Sequence, residues 1–454
     1  MNDARAFVAA QRFGLGEARL DTVGGDPAAW LHAQVGPPDP QRGTDLPTAA
    51  DGLRAHADFV KARRAAREGD MKGTEQAFAE HFRALVQADL RARLATGALT
   101  QRPYAERLAL FWTNHFTVSM AKAPVRGLAG AFEREAIRPH VAGRFESMLQ
   151  AAVVHPAMLR YLDNEQSAGP GSRVVRVRGA RLRERGETPR VTGLNENLAR
   201  EVLELHTLGV DGGYTQADVT AFAAVLTGWR TSPLTMQVAF DPAWHEPGAK
   251  TVLGRRYPEG PDALRAVLHD LARHPSTARF VATKLARHFA ADEPPPALVE
   301  RLRRRFAETE GDLGALAHTL VDAPEPWQAG GSKLKTPEEF VLSGVRLLGL
   351  GESAFARAAD GGIVALGQRV QAAPSPAGWP DRADDWLGPD AVWKRVEWAT
   401  RVAERAGRGV DARRVAADVF GPALPDATRR QVERAADGPQ ALALLLLSPE
   451  FQRR

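Results

Sequence analysis

The chain has no cysteine among its 454 residues. That excludes a disulfide, a thiolate metal site, an iron–sulfur cluster and a cysteine nucleophile. Any metal would have to be held by His, Asp or Glu, and oxidising and reducing compartments are equally tolerable. Long apolar runs are missing too. The most apolar one, residues 441–447, is far short of the ~20 residues a spanning helix needs and reads as a buried helix turn. Residues 6–10 are too short an apolar stretch for a signal-peptide core. The expectation is a soluble, cytoplasmic protein without a membrane span; the alternative is a periplasmic protein, or one exported through a partner. Aromatic residues make up only 7% and follow helical core spacing rather than alternating with basic residues. With no helix-turn-helix, zinc-finger or RNA-recognition signature, nucleic-acid binding is disfavoured despite a net charge of +5.

What is present is helical patterning. The chain is 44% hydrophobic and 25% charged, enough for a sizeable core. Stretches rich in Ala, Leu, Arg and Glu place apolar residues three or four apart, on one helix face. In 280–289, Phe280, Val281, Leu285 and Phe289 form that face and leave Lys284 and His288 together on a neighbouring stripe. Strand signals are sparse; the best is Val174-Val175-Arg176-Val177-Arg178, which predicts at most a small exposed hairpin near 173–183. Breakers at 36–40, 167–193, 231–261 and 372–380 read as loops, none a convincing linker. Pro294-Pro295-Pro296 reads as a helix start. The expected fold is all-α: one large helical domain over 1–454 with long polar loops.

The densest polar constellation is Asn195-Glu196-Asn197-Leu198-Ala199-Arg200-Glu201-Val202-Leu203-Glu204-Leu205-His206-Thr207-Leu208-Gly209. Asn195 suits an N-cap and Gly209 a C-cap. Leu198, Val202 and Leu205 share one helix face; Glu196, Arg200, Glu204 and Thr207 share the opposite one, with Asn197 and Glu201 beside them. His206 stands about 160° from Glu204 and about 140° from Glu201 on an ideal helix, so it joins them only if the helix departs from α geometry or the site is completed from elsewhere. Two readings stay open: a solvated Glu-Arg-Glu ladder, or a carboxylate site, catalytic or metal-binding. Elsewhere, Thr113, Asn114 and His115 stand among Phe111, Trp112 and Phe116. Thr215 and Asp218 read as a capping box. His245 and Lys250 lie in a loop, where polar residues are more often functional. Trp379, between Gly378 and Pro380, caps a pocket or staples an extended segment.

Several segments together resemble the bacterial family called domain of unknown function 1800. They are Arg12-Phe13-Gly14-Leu15-Gly16, Phe111-Trp112-Thr113-Asn114-His115-Phe116, Asn195-Glu196-Asn197 through Leu208-Gly209, Gly213-Tyr214-Thr215, Leu226-Thr227-Gly228-Trp229, Lys284-Leu285, Gly378-Trp379-Pro380 and Ser448-Pro449-Glu450-Phe451. The resemblance covers essentially the whole chain. Family members often carry a second His where this chain has Thr113. The resemblance implies no named activity. It does imply a partner, because such proteins are often encoded beside a sulfatase- or phosphatase-like exported protein.

The functional expectation is an enzyme, of hydrolase type, acting on a polar or anionic envelope or extracellular substrate such as a polysaccharide. Its catalytic candidates are Glu201, Glu204, Arg200, His206 and His115; its substrate-binding candidates are Asn197, His245, Lys250 and Trp379. Paired carboxylates divide as acid and base when their surroundings separate their pKa values. A divalent metal held by carboxylate and His is compatible with these residue types. The alternative is a non-enzymatic partner or chaperone of the co-encoded sulfatase/phosphatase-like protein. The +5 charge sits in one place: Arg173, Arg176, Arg178, Arg181, Arg183, Arg185 and Arg190, against Glu184 and Glu187, while the remainder is balanced. The stretch 167–193 is therefore expected to be a basic, mobile loop beside the carboxylate helix, able to draw in an anion.

Overall fold

The computed structural model describes residues 2–65, 71–184, 193–328, 333–356, 358–406 and 409–454. Helices make up most of it, and the fold is all-α. Its described strands form two small antiparallel pairs, Trp229–Ser232 with Gln237–Phe240 and Lys250–Val252 with Arg255–Tyr257. Among the described residues no helix is long and apolar enough to cross a membrane.

The hairpin expected at 173–183 is instead a helix, Arg173–Glu184. Straight-chain Arg and Leu lose little rotamer freedom in a helix, and that outweighs a five-residue alternation. Ser172 sits at its start, and the Val174 backbone N–H donates to the Ala243 carbonyl at 3.0 Å. The loop expected over 167–193 is thus partly helical; residues 185–192 lie outside the described residues. The strands form within 231–261 and just before it, where the breakers predict a loop. The second pair turns through Leu253 and Gly254, both at positive φ (50° and 74°), the primed geometry that suits strand twist. The Leu253 N–H donates to Asp218 Oδ1 at 2.7 Å, which helps hold a leucine in a conformation most side chains avoid.

Among the described residues two large apolar cores form, with a small third one around Phe59, Ala77 and Phe82. The first gathers Phe13, Tyr104, Trp112, Phe116, Phe145, Phe289 and Phe306. The second gathers Phe340, Trp398, Phe420, Leu442 and Phe451. Buried charges join the helices that build them. The helix Pro337–Leu347, whose Phe340 and Val341 lie in the second core, offers Glu338 to Arg93 and Glu339 to Arg107. Arg107 belongs to the helix Pro103–His115, whose Leu108 and Trp112 lie in the first core. Arg93 also binds Glu133, which meets Arg138, which in turn holds Glu106 at 2.7 Å. Every charge in this chain of contacts has an opposite neighbour, the condition under which buried ions are tolerable. The opening motif is structural by the same logic: the Arg12 guanidinium donates to the Pro326 and Gln328 carbonyls at 2.6 and 3.0 Å.

Candidate functional site

A cavity of about 320 Å³ opens between the helices Pro103–His115 and Pro275–Phe289, the start of Pro337–Leu347, and the segment 371–385. Three local features shape it. First, the helix Pro275–Phe289 buries Val281, Leu285 and Phe289, which leaves Lys284 and His288, four residues apart, on the cavity wall. Second, Asn114 clamps the extended segment: its Nδ2 donates to the Trp379 carbonyl at 2.9 Å and its Oδ1 accepts from the Trp379 N–H at 2.8 Å. Gly378 has φ 85°, and a Cβ there would stand 2.5 Å from the Asn114 carbonyl oxygen, so the approach needs glycine. Third, Thr336 and Glu339 form a capping box with Pro337 at the first helical position.

The most telling pair is His288 and Asp381. The His288 Nδ1 lies 3.2 Å from Asp381 Oδ2. Burial pushes the Asp381 carboxyl up, but His288, Arg454 and Lys333 outweigh it and hold it down at about 2. Burial lowers the His288 pKa, with Asp381 opposing. A neutral imidazole therefore faces an ionised carboxylate, and Nδ1 carries the proton. The Nε2 lone pair is then left buried, with no hydrogen-bond partner among the described residues. A carboxylate that fixes the tautomer and a free Nε2 are the parts of a general base.

The remaining charges of the wall divide into spent and unspent. Glu338 is taken by Arg93; Glu339 by Arg107 and Arg454; Asp381 by His288, Lys333 and Arg454. Lys284 has no carboxylate within ion-pair distance among the described residues; its ammonium stands 5.5 Å from the Phe280 ring centroid. Burial lowers its pKa to about 8, with the more distant Asp381 opposing, so it is still mostly charged at neutral pH.

Of the candidates named from sequence, His115 and Trp379 line this cavity. His115 is buried, donates from Nε2 to the His206 carbonyl at 3.1 Å, and has no partner at Nδ1. His206 lies behind it in the core, its ring 6.2 Å from that of His115 and 5.1 Å from Phe116. Both its nitrogens lack partners among the described residues, and burial pushes its pKa down to about 3. The helix departs from α geometry here: Asn197–Glu201 is α, Val202–Thr207 is a π turn. His206 nevertheless faces the core, while Glu201 and Glu204 stay half-buried on another face. Arg200 is held by Glu196 at 3.2 Å and Gln216 at 2.8 Å, and Tyr214 donates to Glu204 at 3.3 Å. Burial, then Glu204, raise the Glu201 pKa, with Arg200 opposing. The Asn197 N–H is capped by Asn195 Oδ1 at 3.0 Å, one position earlier than an N-cap in the strict sense. None of Asn197, Arg200, Glu201 and Glu204 lines the cavity.

His245 and Lys250 are tied to each other. The Lys250 ammonium lies 3.0 Å from His245 Nε2, His245 Nδ1 donates to the Thr227 carbonyl at 2.8 Å, and Lys250 also binds the Glu246 carbonyl. The Thr215–Asp218 capping box is present as expected. Among the described residues no three His, Asp or Glu side chains converge as metal ligands would.

Sequence reasoning does not single out Asp381, Glu339 or Arg107. Asp381 reaches His288 across 93 residues, which no local periodicity reveals. The Thr336-Pro337-Glu338-Glu339 run is a readable helix start, but nothing in it says that Glu339 also binds Arg107 and Arg454.

An all-α protein with a charged cavity between two packed cores is a broad class. Within it, the chain matches the family described as "Protein of unknown function (DUF1800)" over residues 8–453 and belongs to that family. No curated protein and no solved structure matches it.

Proposed function

We propose that the cavity is the active site of a hydrolase-type enzyme and that His288, oriented by Asp381, is its general base. One observation carries this: His288 keeps Nε2 buried and unpartnered among the described residues while Nδ1 is committed to a carboxylate. An orphaned buried nitrogen costs about 1–3 kcal/mol; His115 and His206 also leave ring nitrogens unpartnered, but of the three only His288 has a carboxylate on its other nitrogen among the described residues. A volume of about 320 Å³ is at the low end for ligand pockets, so a small polar group, or the end of a larger envelope substrate such as a polysaccharide, fits. Nε2 would take a proton from an attacking water or a substrate hydroxyl, and Asp381 would stabilise the imidazolium. The test is turnover of a panel of chromogenic carboxyl, phosphate and sulfate esters. Wild type should turn over at least one, and H288Q should lose roughly 10²- to 10⁴-fold. Wild-type inactivity on all of them, or an H288Q rate equal to wild type, overturns the proposal.

A second reading, a non-enzymatic partner of an exported sulfatase/phosphatase-like protein, is supported by Trp393, Val392 and Leu387. These large apolar side chains stay exposed at and just before the start of the helix Pro389–Ala406. Co-purification with that partner from native cells, lost in W393E, tests it.

A further inference from the structure

We propose that Lys284 is an anion-recognition residue and that the cavity takes a small oxyanion, a carboxylate or phosphoryl group, beside His288. The inference rests on the reading of the cavity as a substrate site and names the charge of what enters it.

Each buried carboxylate of the wall already faces one or more cations. Glu338 accepts two hydrogen bonds from Arg93, at 2.7 and 3.2 Å. Glu339 faces both Arg107 and Arg454, and Asp381 faces Lys333 and Arg454 besides His288. Asp381 acts on Lys284 only from beyond ion-pair distance, and its oxygens are already shared among those three partners. The other neighbours cannot supply the missing anion: the electrostatic influence of the Lys284 ammonium reaches His115 and His206, and both imidazoles are neutral. Arg287, on the same wall, spends its Nε on the Asp292 carbonyl at 3.1 Å and meets no carboxylate among the described residues. Asp385 is the remaining acid of the lining; it is exposed.

Arg107 points the same way, independently of Lys284. It lines the cavity and is 1% exposed, yet its Nη2 has no hydrogen-bond partner among the described residues. Its charge is met by Glu339, but a buried guanidinium N–H without an acceptor still costs about 1–3 kcal/mol. Both are donors, both are cationic, and one oxyanion has enough lone pairs for the two. The mostly protonated state of Lys284 at neutral pH suits an ion-pair partner rather than an amine nucleophile.

Calorimetric titration of the full chain at pH 7 and low ionic strength, with inorganic phosphate in one arm and acetate in the other, tests this. Saturable binding of at least one is expected. K284Q should weaken it at least ten-fold, and K284R should retain it. Preference for phosphate would assign a phosphoryl group, and preference for acetate a carboxylate. Absence of saturable binding in both arms, or equal affinity in K284Q, overturns the inference. Thermal unfolding gives a second readout: K284M should melt at the same or a higher temperature, because it removes an unpaired charge, and a clear drop would reveal an internal partner and also overturn it. H288Q should still bind the anion, so failed turnover and failed anion recognition are distinguishable.

Discussion

His288 and Asp381 lie 93 residues apart in sequence and 3.2 Å apart in space, and the carboxylate is the group that keeps the imidazole proton on Nδ1. Replacing Asp381 by Asn removes that anchor and leaves Lys333 and Arg454 facing a neutral amide. Lys333 keeps Asp292 and Arg454 keeps Glu339, so the cost should fall below the roughly 3–5 kcal/mol of leaving a buried charge with no partner. D381N is therefore expected to lower the urea midpoint moderately. It should also lower the His288 pKa further, since Asp381 is the neighbour that most opposes the effect of burial, readable in the ¹⁵N shifts of the ring.

The Arg93 guanidinium is shared between Glu133 and Glu338. R93M should cost roughly 3–5 kcal/mol, measured by denaturant unfolding, because Glu338 loses its cation. A triple replacement by apolar residues of similar volume, R93M with E133L and E338L, should recover only part of this, because Arg138 also uses Glu133.

Acid stability separates two groups. Asp381 sits at about 2 when folded against about 3.9 unfolded, so its contribution is present above pH ~4 and is lost as pH falls towards 2. His206 sits at about 3 when folded against about 6.5 unfolded, so the unfolded chain binds more protons in between and stability falls as pH drops from ~6.5 to 3. The slope from one such group is at most about 1.4 kcal/mol per pH unit. H206L should flatten the upper part of the profile, whereas D381N should flatten the part below pH ~4 and, by lowering the His288 pKa further, extend the loss due to that imidazole to lower pH, in unfolding midpoints taken from pH 8 to 2.

Gly378 makes a sharper packing test. G378A combines a φ of 85° with a Cβ 2.5 Å from the Asn114 carbonyl oxygen. It should cost about 1–3 kcal/mol and release the Trp379 segment, seen as a change in tryptophan fluorescence before global unfolding.

The carboxylate helix gives the opposite sign. Burial and Glu204 disfavour the charged form of Glu201, so E201Q should be slightly stabilising relative to wild type at pH 7, by at most about 1 kcal/mol, and the gain should vanish near pH 4. Equal urea midpoints at both pH values would contradict that account.

What a sequence discloses depends on the range of the interaction. The helical class, the Thr215–Asp218 capping box and the stripe carrying Lys284 and His288 come from spacings of three and four, and all are present. The helix Arg173–Glu184 contains five alternating residues that fit a period of two equally well, so a hairpin is the expectation there and a helix the outcome. The Leu253–Gly254 turn is hidden from sequence because its first residue is a leucine held by a distant aspartate. The cavity is legible in parts: His115 and Trp379 stand oddly among apolar or extended neighbours, whereas Asp381 and Glu339 acquire their partners only through tertiary contact.

The π turn at Val202–Thr207 sets the rotational phase of the helix end beyond it. A turn of this kind holds one residue more than an α turn. Were Val202–Thr207 to close as regular α-helix with no residue removed, the residues beyond it would rotate by about 100°. His206 would leave the rings of His115 and Phe116, and Gly209, at φ 84° against Phe280, would lose its place. The single surplus residue thus acts as a spacer: it gears the surface-facing carboxylates on one side of the helix to the aromatic wall behind the cavity on the other.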